Sequence, residues 1–293
     1  LEAGDTVLVD SGLYTQTVDT VVDQLDSGEG GVAVTIQGST NRSAGGTVLM
    51  AGVDVQASRG VAIRHVTVRR ELGGGLGVRL QQSTNSVLEN VWVQGGGIAF
   101  ELKDSVLNQL SRCAAVGLAS NAVVLDPATR NSLDNCVLWW NRFSIVLSSS
   151  SVSVSNSVLA AFRPGDVLYR FGGSIAADYN SVLVTNGAEV GVETLVDSTI
   201  PRRYENLGRW RQDTGLDQHS QSFFPRLAAP GQLDFHLQSQ AGRFTPSNGV
   251  FTTDALSSPL IDAGDPTADY VLETAPNGQR RNIGLFGGTS EAS

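Results

Sequence analysis

The chain is predicted to be an all-β solenoid, one elongated stack of short coils, and three observations carry that prediction. Six stretches share one pattern, an apolar residue, a spacer, a polar residue and then alternating small and apolar residues. Their spacing is too even for chance and too short for a helix pair or a propeller blade. The composition fits as well: 33 glycines, only 17% charged residues, periodic stretches filled with Val, Ser, Thr and Asn, and no long helical pattern.

The stretches begin at Ile63, Leu88, Leu110, Leu133, Val154 and Asp178, and their third positions are His65, Asn90, Arg112, Asn135, Asn156 and Asn180. Consecutive third positions lie 25, 22, 23, 21 and 24 residues apart, which predicts coils of about 21–25 residues. A second apolar run follows within each coil, as in Ile98-Ala99-Phe100-Glu101-Leu102 and Ala122-Val123-Val124-Leu125, so each coil is expected to hold two or three strands. Period-two alternation places Val66, Val91, Cys113, Cys136, Ser157 and Ser181 in one inward column. The next inward column reads Val68, Val93, Ala115, Leu138, Leu159 and Leu183. Neighbouring coils then bury what one coil alone cannot. Asn90, Asn135, Asn156 and Asn180 are expected to form a structural ladder at the turn between strands. Asparagine tolerates the left-handed conformation there, and its amide can bond to the coil above.

With these residues in place the chain resembles the right-handed parallel β-helix proteins, the architecture of pectate lyases and many bacterial surface proteins. The opening Ala3-Gly4-Asp5-Thr6-Val7-Leu8-Val9-Asp10-Ser11-Gly12 is similar to the first coil of that group, where a short capping helix usually precedes it. The chain is therefore expected to begin inside a longer parent. Trp210 to Asp217, Asp234-Phe235-His236-Leu237, Ser258 to Pro266, Pro276-Asn277-Gly278 and Asn282 to Thr289 resemble the terminal segment of β-helix modules in very large secreted bacterial proteins. The resemblance implies a secreted or cell-surface bacterial setting and further domains on the parent chain, and it is specific to the module type, not to an activity. The coils are expected over residues 1–200, with 201–293 supplying irregular final coils and a C-terminal cap of the same domain, because the rhythm breaks at Pro201 and an uncapped edge invites association.

The formal net charge of −9 and pI near 4.8 argue against a nucleic-acid backbone or an anionic membrane as partner. No apolar run reaches membrane-spanning length. Cys113 and Cys136 fall at equivalent positions one coil apart, roughly a strand spacing of 4.8 Å. Side chains in register on parallel strands point the same way, so two buried thiols are expected in preference to a disulfide.

A β-helix enzyme usually places its site on the outer face of one sheet. Here one outward column reads Thr67, Trp92, Ala114, Val137, Val158 and Val182, and the next reads Arg69, Gln94, Val116, Trp139, Ala160 and Val184. Such apolar faces predict cover by a loop, an insertion or another domain. The alternative is that Trp92, Trp139 and Trp140 offer flat surface to sugar rings, or dock a partner protein.

A lyase of this fold needs an Arg or Lys base beside carboxylates that hold Ca²⁺. The candidates are Arg69, Lys103, Arg130 and Arg142 as base, with Glu89 and Asp134 as carboxylates. They are scattered, and Glu89 and Asp134 are separated in their column by Ser111. A hydrolase needs paired carboxylates, and the polygalacturonase-like pattern of adjacent aspartates followed by a Gly-flanked histidine is absent. Asp126-Pro127 is similar to part of the alginate-epimerase motif, but Ala128-Thr129-Arg130 stand where that motif carries its acid and base. His65, His219 and His236 are read as structural. Asp262, Asp265 and Asp269 lie close together in a Gly- and Pro-containing loop that could hold Ca²⁺ or simply bond to turn amides.

The leading expectation is a non-catalytic extracellular module, a rigid spacer or a segment that binds glycan or cell surface, without a cofactor. A polysaccharide lyase or glycoside hydrolase and a protein-docking adhesion module are the alternatives.

Overall fold

Parallel strand pairing runs through the chain from coil to coil, and the computed structural model describes residues 1–41, 45–71, 74–118, 120–194, 200–275 and 277–293. It is a parallel β-helix of about seven turns. Each full coil contributes a strand to three ladders. The first contains Val61–Arg64, Val87–Glu89, Gln109–Ser111 and Asn131–Asp134. The second is an eight-stranded sheet that includes Val66–Arg69, Trp92–Gln94, Ala114–Val116, Val137–Trp139, Val158–Ala161 and Ser181–Val184. The third contains Val53–Gln56, Leu76–Gln81, Ile98–Val106 and Asn121–Thr129. In the last coils the third and first ladders fuse through the long strands Phe143–Ser155 and Val167–Asp178, which turn the corner with a register shift between Ser148 and Ser151.

β-Branched and leucine side chains on the inward positions build one continuous core. Val68, Val93, Ala115 and Leu159 are fully shielded, and each buried Val or Leu contributes roughly 1.5–3 kcal/mol. Cys113 and Cys136 are both free thiols in this core, and burial pushes the Cys136 thiol well above its usual range.

The turn between the first and second ladders is a single left-handed residue: His65, Asn90, Arg112, Asn135 and Asn156 have φ between 52° and 54°. In the last coil the left-handed residue is Tyr179, at φ 57°, and not the expected Asn180. The strand that follows is shifted accordingly, with Leu159 facing Val182 and Ala160 facing Leu183. Asn180 therefore replaces Ser181 in the inward column, and Ser181 and Leu183 replace Val182 and Val184 in the outward ones. The cause is satisfaction of buried polar groups. Asn180 accepts a hydrogen bond from Ser157 N at 2.9 Å and donates to Val154 O at 3.0 Å and Asp217 at 3.1 Å. At roughly 1 kcal/mol each, these bonds offset the roughly 1–2 kcal/mol of a left-handed Tyr.

The C-terminal end of the stack is closed by Arg202–Tyr204, antiparallel to Glu189–Glu193, and by helix α1 (Leu207–Thr214). Asn206 caps α1 by accepting from Arg209 N at 2.9 Å, and Gly215 ends it at φ 73°. Trp210, fully buried, stacks on Tyr169 at 5.1 Å and meets Phe171 and Tyr204 edge-on. A Cβ on Gly191 would sit 2.6 Å from that indole, so only glycine fits beneath the cap.

Among the described residues from 218 onward, Gln221 adds one parallel bridge to Ser181, and the rest leave the stack. They run back as a strap along the outer face of the eight-stranded sheet. Phe235, Leu237, Leu260, Ile283 and Leu285 bury Ala114, Val137, Trp139, Val158, Ala160 and Leu183. The asparagine column pins this strap. Asn135 Nδ2 donates to the carbonyls of Asn282 at 3.1 Å and Gly284 at 2.6 Å. Asn156 Oδ1 accepts from Asp265 N at 2.7 Å, and Arg281 pairs with Asp134 at 2.8 Å. The amides do bond from coil to coil, as in Asn90 to His65 at 2.8 Å, Asn156 to Asp134 at 2.8 Å and Asn135 to Asn156 O at 3.4 Å, and those of Asn135 and Asn156 bond in addition to a segment more than a hundred residues away. At the other end of the stack Val7, Val18 and Val21 are exposed around an apolar hollow of about 620 Å³.

Candidate functional site

The strap covers the later coils and stops short of the earlier ones, leaving a cavity of about 570 Å³ between sheet and strap. Its floor is Thr67 and Trp92 of one outward column and Gln94 of the next. The turn residues His65 and Asn90, the loop residues Ser39 and Thr40 and the strand residue Thr47 form one side. The strap supplies the opposite wall through Leu233, Asp234, His236, Arg243, Thr245 and Phe286.

Trp92 is half-buried, and its ring leans on Phe235 of the strap at 5.9 Å. Its indole Nε1 donates to Asn90 Oδ1 at 2.9 Å, and Asn90 Nδ2 in turn lies 2.8 Å from His65 Nδ1. The spacing of Asn90 and Trp92, turn residue then first outward residue two positions on, builds this geometry: the left-handed turn throws the amide to the outer side of the sheet, beside the indole.

On the strap wall, Asp234–Leu237 alternates its faces. Phe235 and Leu237 pack into the apolar cover, while Asp234 and His236 line the cavity. His236 is 1% exposed, lies flat on Phe286 at 3.6 Å, and holds Asp234 through Nδ1 at 2.6 Å and Glu291 through Nε2 at 3.3 Å. Arg243 pairs with Asp254 at 2.9 Å and lies 3.6 Å from Asp234. Burial alone would raise the Asp234 carboxyl, but the bonds from His236 and the charges of His236 and Arg243 outweigh it and hold Asp234 below the usual carboxylate range. Among the described residues of the cavity wall, Asp234, His236 and Arg243 are thus matched by one another and by Glu291 and Asp254.

The residues named from sequence fall elsewhere or into other roles. Trp139 is 7% exposed, packed on Phe162 at 5.0 Å and against Phe235 at 6.2 Å, so it presents no face to a sugar or a partner. That corrects its assignment as a binding residue: the predicted cover exists and is the chain's own strap. Trp140 is 52% exposed at a left-handed turn and lines no part of the cavity. Arg69, Lys103, Arg130 and Arg142 are all exposed, and none lines the cavity. Lys103 faces Asp126 across neighbouring strands, and Arg142 lies over the Phe143 ring at 5.4 Å. Glu89 is held by Arg64 at 3.1 Å and by Arg112, while Asp134 is held by Arg281, Asn156 and Ser155. Both carboxylates therefore brace the outer face of the first ladder.

The three loop aspartates are used by turns. Asp262 accepts from Gly278 N at 2.9 Å, Asp265 from Thr267 N at 2.8 Å, and Asp269 from Val271 N at 2.9 Å. Among the described residues no group of three His, Cys, Asp or Glu side chains is arranged to hold a metal ion. Pro276, which opens one of the terminal motifs, lies outside the described residues. No helix among the described residues is long and apolar enough to cross a membrane.

Sequence reasoning singled out Trp92 but missed Gln94, Asp234, Arg243 and Phe286 as its companions. The period-two alternation of Asp234-Phe235-His236-Leu237 did signal a two-faced strand. Nothing local signalled that its polar face looks across at Trp92.

No family model matches the chain, and no curated protein matches it. Among solved structures it is similar to the crystal structure of pectate lyase Pel9A, with a TM-score of 0.43 and 13% sequence identity, over 98% of this chain and 88% of that one.

Proposed function

We propose that this chain is a non-catalytic β-helix module that binds a glycan in the cavity between the eight-stranded sheet and the strap. The observation that carries this reading is Trp92, a half-exposed indole oriented by its bond to Asn90 on the floor of a cavity of about 570 Å³. That volume lies within the range of about 300–1,000 Å³ usual for ligand sites, and an aromatic floor with a few placed polar groups is their usual chemistry. Trp92 would take the apolar face of a sugar ring, and Asn90, Gln94, Gln232, Thr67 and Thr245 would bond to its hydroxyls.

The lining favours binding over cleavage. A glycosidase needs two carboxylates in different protonation states, and Asp234 is the one carboxylate that lines the cavity among the described residues, already held by His236. A lyase needs a cation free to take a proton, and Arg243 is paired with Asp254. The resemblance of both ends to modules of large secreted bacterial proteins supports an extracellular setting, where a rigid solenoid would also space neighbouring domains.

The test is retention of the protein on immobilised xylan, mannan, β-glucan, pectin and alginate, with and without Ca²⁺, while reducing ends and unsaturated uronates are followed in solution. Retention on at least one without cleavage is expected. Trp92→Ala should weaken it about tenfold or more, and Trp140→Ala should leave it unchanged. Cleavage of any polysaccharide would overturn the non-catalytic reading, and equal retention of Trp92→Ala would remove the cavity from it.

A further inference from the structure

Two arginines converge on one aromatic ring on the outer face of the third ladder, outside the cavity. Phe143 is half-buried and lies in register between Asn121 and Val167 of the neighbouring coils. The Arg142 guanidinium lies over its ring at 5.4 Å from the centre, and that of Arg170, one coil on, at 5.2 Å. A guanidinium held over a ring by its charge keeps its N–H groups for other partners.

The charges around this ring are unusual for the chain. Its formal net charge is −9, and among the described residues ten arginines pair with a carboxylate, whereas Arg142 and Arg170 pair with none. The carboxylates beside Val167 are committed elsewhere, Asp166 to Arg163 at 3.0 Å and Glu189 to Arg203 at 2.6 Å. Two cations on one ring repel each other, so an anion that meets both is favoured there.

We propose that Arg142, Arg170 and Phe143 form a second binding site, separate from the cavity, for the oxyanions of a linear acidic glycan, carboxylates or sulfate esters. The ring holds the two exposed side chains in place, and each guanidinium pairs with an oxyanion through its N–H groups. The solenoid sets their separation. Arg142 leads into one strand and Arg170 lies on the next, so they are offset along the stack by roughly the strand spacing of 4.8 Å. That offset is close to the length of one pyranose unit in an extended chain, so neighbouring sugars can engage both arginines. Val146, in register with Arg170 and half-buried, adds apolar surface for the sugar faces.

The test is calorimetric titration with soluble alginate and dextran sulfate at low and higher salt, with poly-glutamate as the acidic-peptide probe. The protein is expected to bind at least one of the two glycans more tightly than poly-glutamate, and less tightly as salt rises. Arg142→Gln and Arg170→Gln should each weaken that binding about threefold and together about tenfold. Arg59→Gln removes the same charge from another exposed position and should cost less than about 1.5-fold. Phe143→Leu keeps both charges but loses the ring, and should weaken binding about threefold. Tighter binding of alginate assigns the anion as a carboxylate, and tighter binding of dextran sulfate as a sulfate ester. Equal losses in Arg59→Gln and Arg170→Gln, or binding of neither glycan, would overturn the site. Tighter binding of poly-glutamate would overturn the glycan in favour of an acidic protein partner. Displacement of the bound glycan by free mannan would move it to the cavity and overturn the separate site.

Discussion

The eight-stranded sheet shows two different outer faces built on one backbone. In the later coils the outward residues are Ala114, Val137, Trp139, Val158, Ala160 and Leu183, nearly all inaccessible beneath the strap. In the earlier coils the same two columns present Thr67, Trp92, Arg69 and Gln94, and the strap stands off to leave a cavity. Strand spacing and register do not change between them. What changes is the side chains: small apolar ones let Phe235, Leu237 and Ile283 close down on the sheet, while polar and bulky ones line the floor of the cavity. A solenoid can thus carry a structural seam and a recognition surface along one sheet without any change of fold.

The comparison can be broken most severely by placing a charge under the strap. Ile283→Asp buries a carboxylate in the apolar cover and is expected to cost about 3–5 kcal/mol in urea unfolding, against less than about 0.5 kcal/mol for Gln94→Asp at the open end. Equal costs would mean that the strap contributes little to the fold. A smaller effect is expected from Gly287→Ala. A Cβ there would overlap Asn282 O and the Asn135 amide, so the strap must shift, at a cost of about 1–3 kcal/mol and with faster proteolysis in residues 218–293 than in the coils. Cleavage that begins in the coils would contradict this.

The smallest effect is a pH dependence where the strap leaves the last coil. Asp178 holds His219 at 2.7 Å, beside the Tyr179 ring that stacks on the same imidazole at 4.9 Å. Burial raises the Asp178 carboxyl, but bonds from the His219 ring and from the backbone amides of His219 and Tyr179 outweigh it, and the net shift is downward. A carboxyl depressed on folding adds stability above its unfolded value of about 4, and that stability is lost as pH falls through the lower folded value. The pair is largely exposed, so the change should be small. Thermal melts of the parent protein should therefore lose a little stability below about pH 4, and Asp178→Asn should lose that acid-side slope. An unchanged slope in Asp178→Asn would assign it to other carboxylates.

Much of the stack was legible in the sequence because its contacts are repeats of one another. A period of about two dozen residues fixes which side chains lie over which, and for the coils from Val66 to Leu159 the inward columns follow it. The last coil departs because its turn answers to partners outside the repeat: Asn180 is drawn inward by Ser157 and by Asp217, which follows the capping helix. The apolar outward columns rightly announced a cover but could not say whose. The covering residues have no period and meet the sheet from far along the chain, so Trp139 stood open to both readings, covered residue and platform, until the strap was in place. The cavity was half legible for the same reason, with Trp92 visible in its column and Asp234, His236 and Arg243 unconnected to it.

The bonds from Asn135 to the carbonyls of Asn282 and Gly284 join residues 147 and 149 positions apart. Contacts of such separation form late, after the local coil-on-coil pairings that cost less loop entropy. Asn135 and Asn156 reach the strap together only if the coils between them have stacked with the correct register, since one slipped residue would turn either amide to the wrong side. The asparagine column therefore acts as a gauge: the strap can fasten only to a stack that has been counted correctly, and a miscounted one is left with its apolar seam open to proteases.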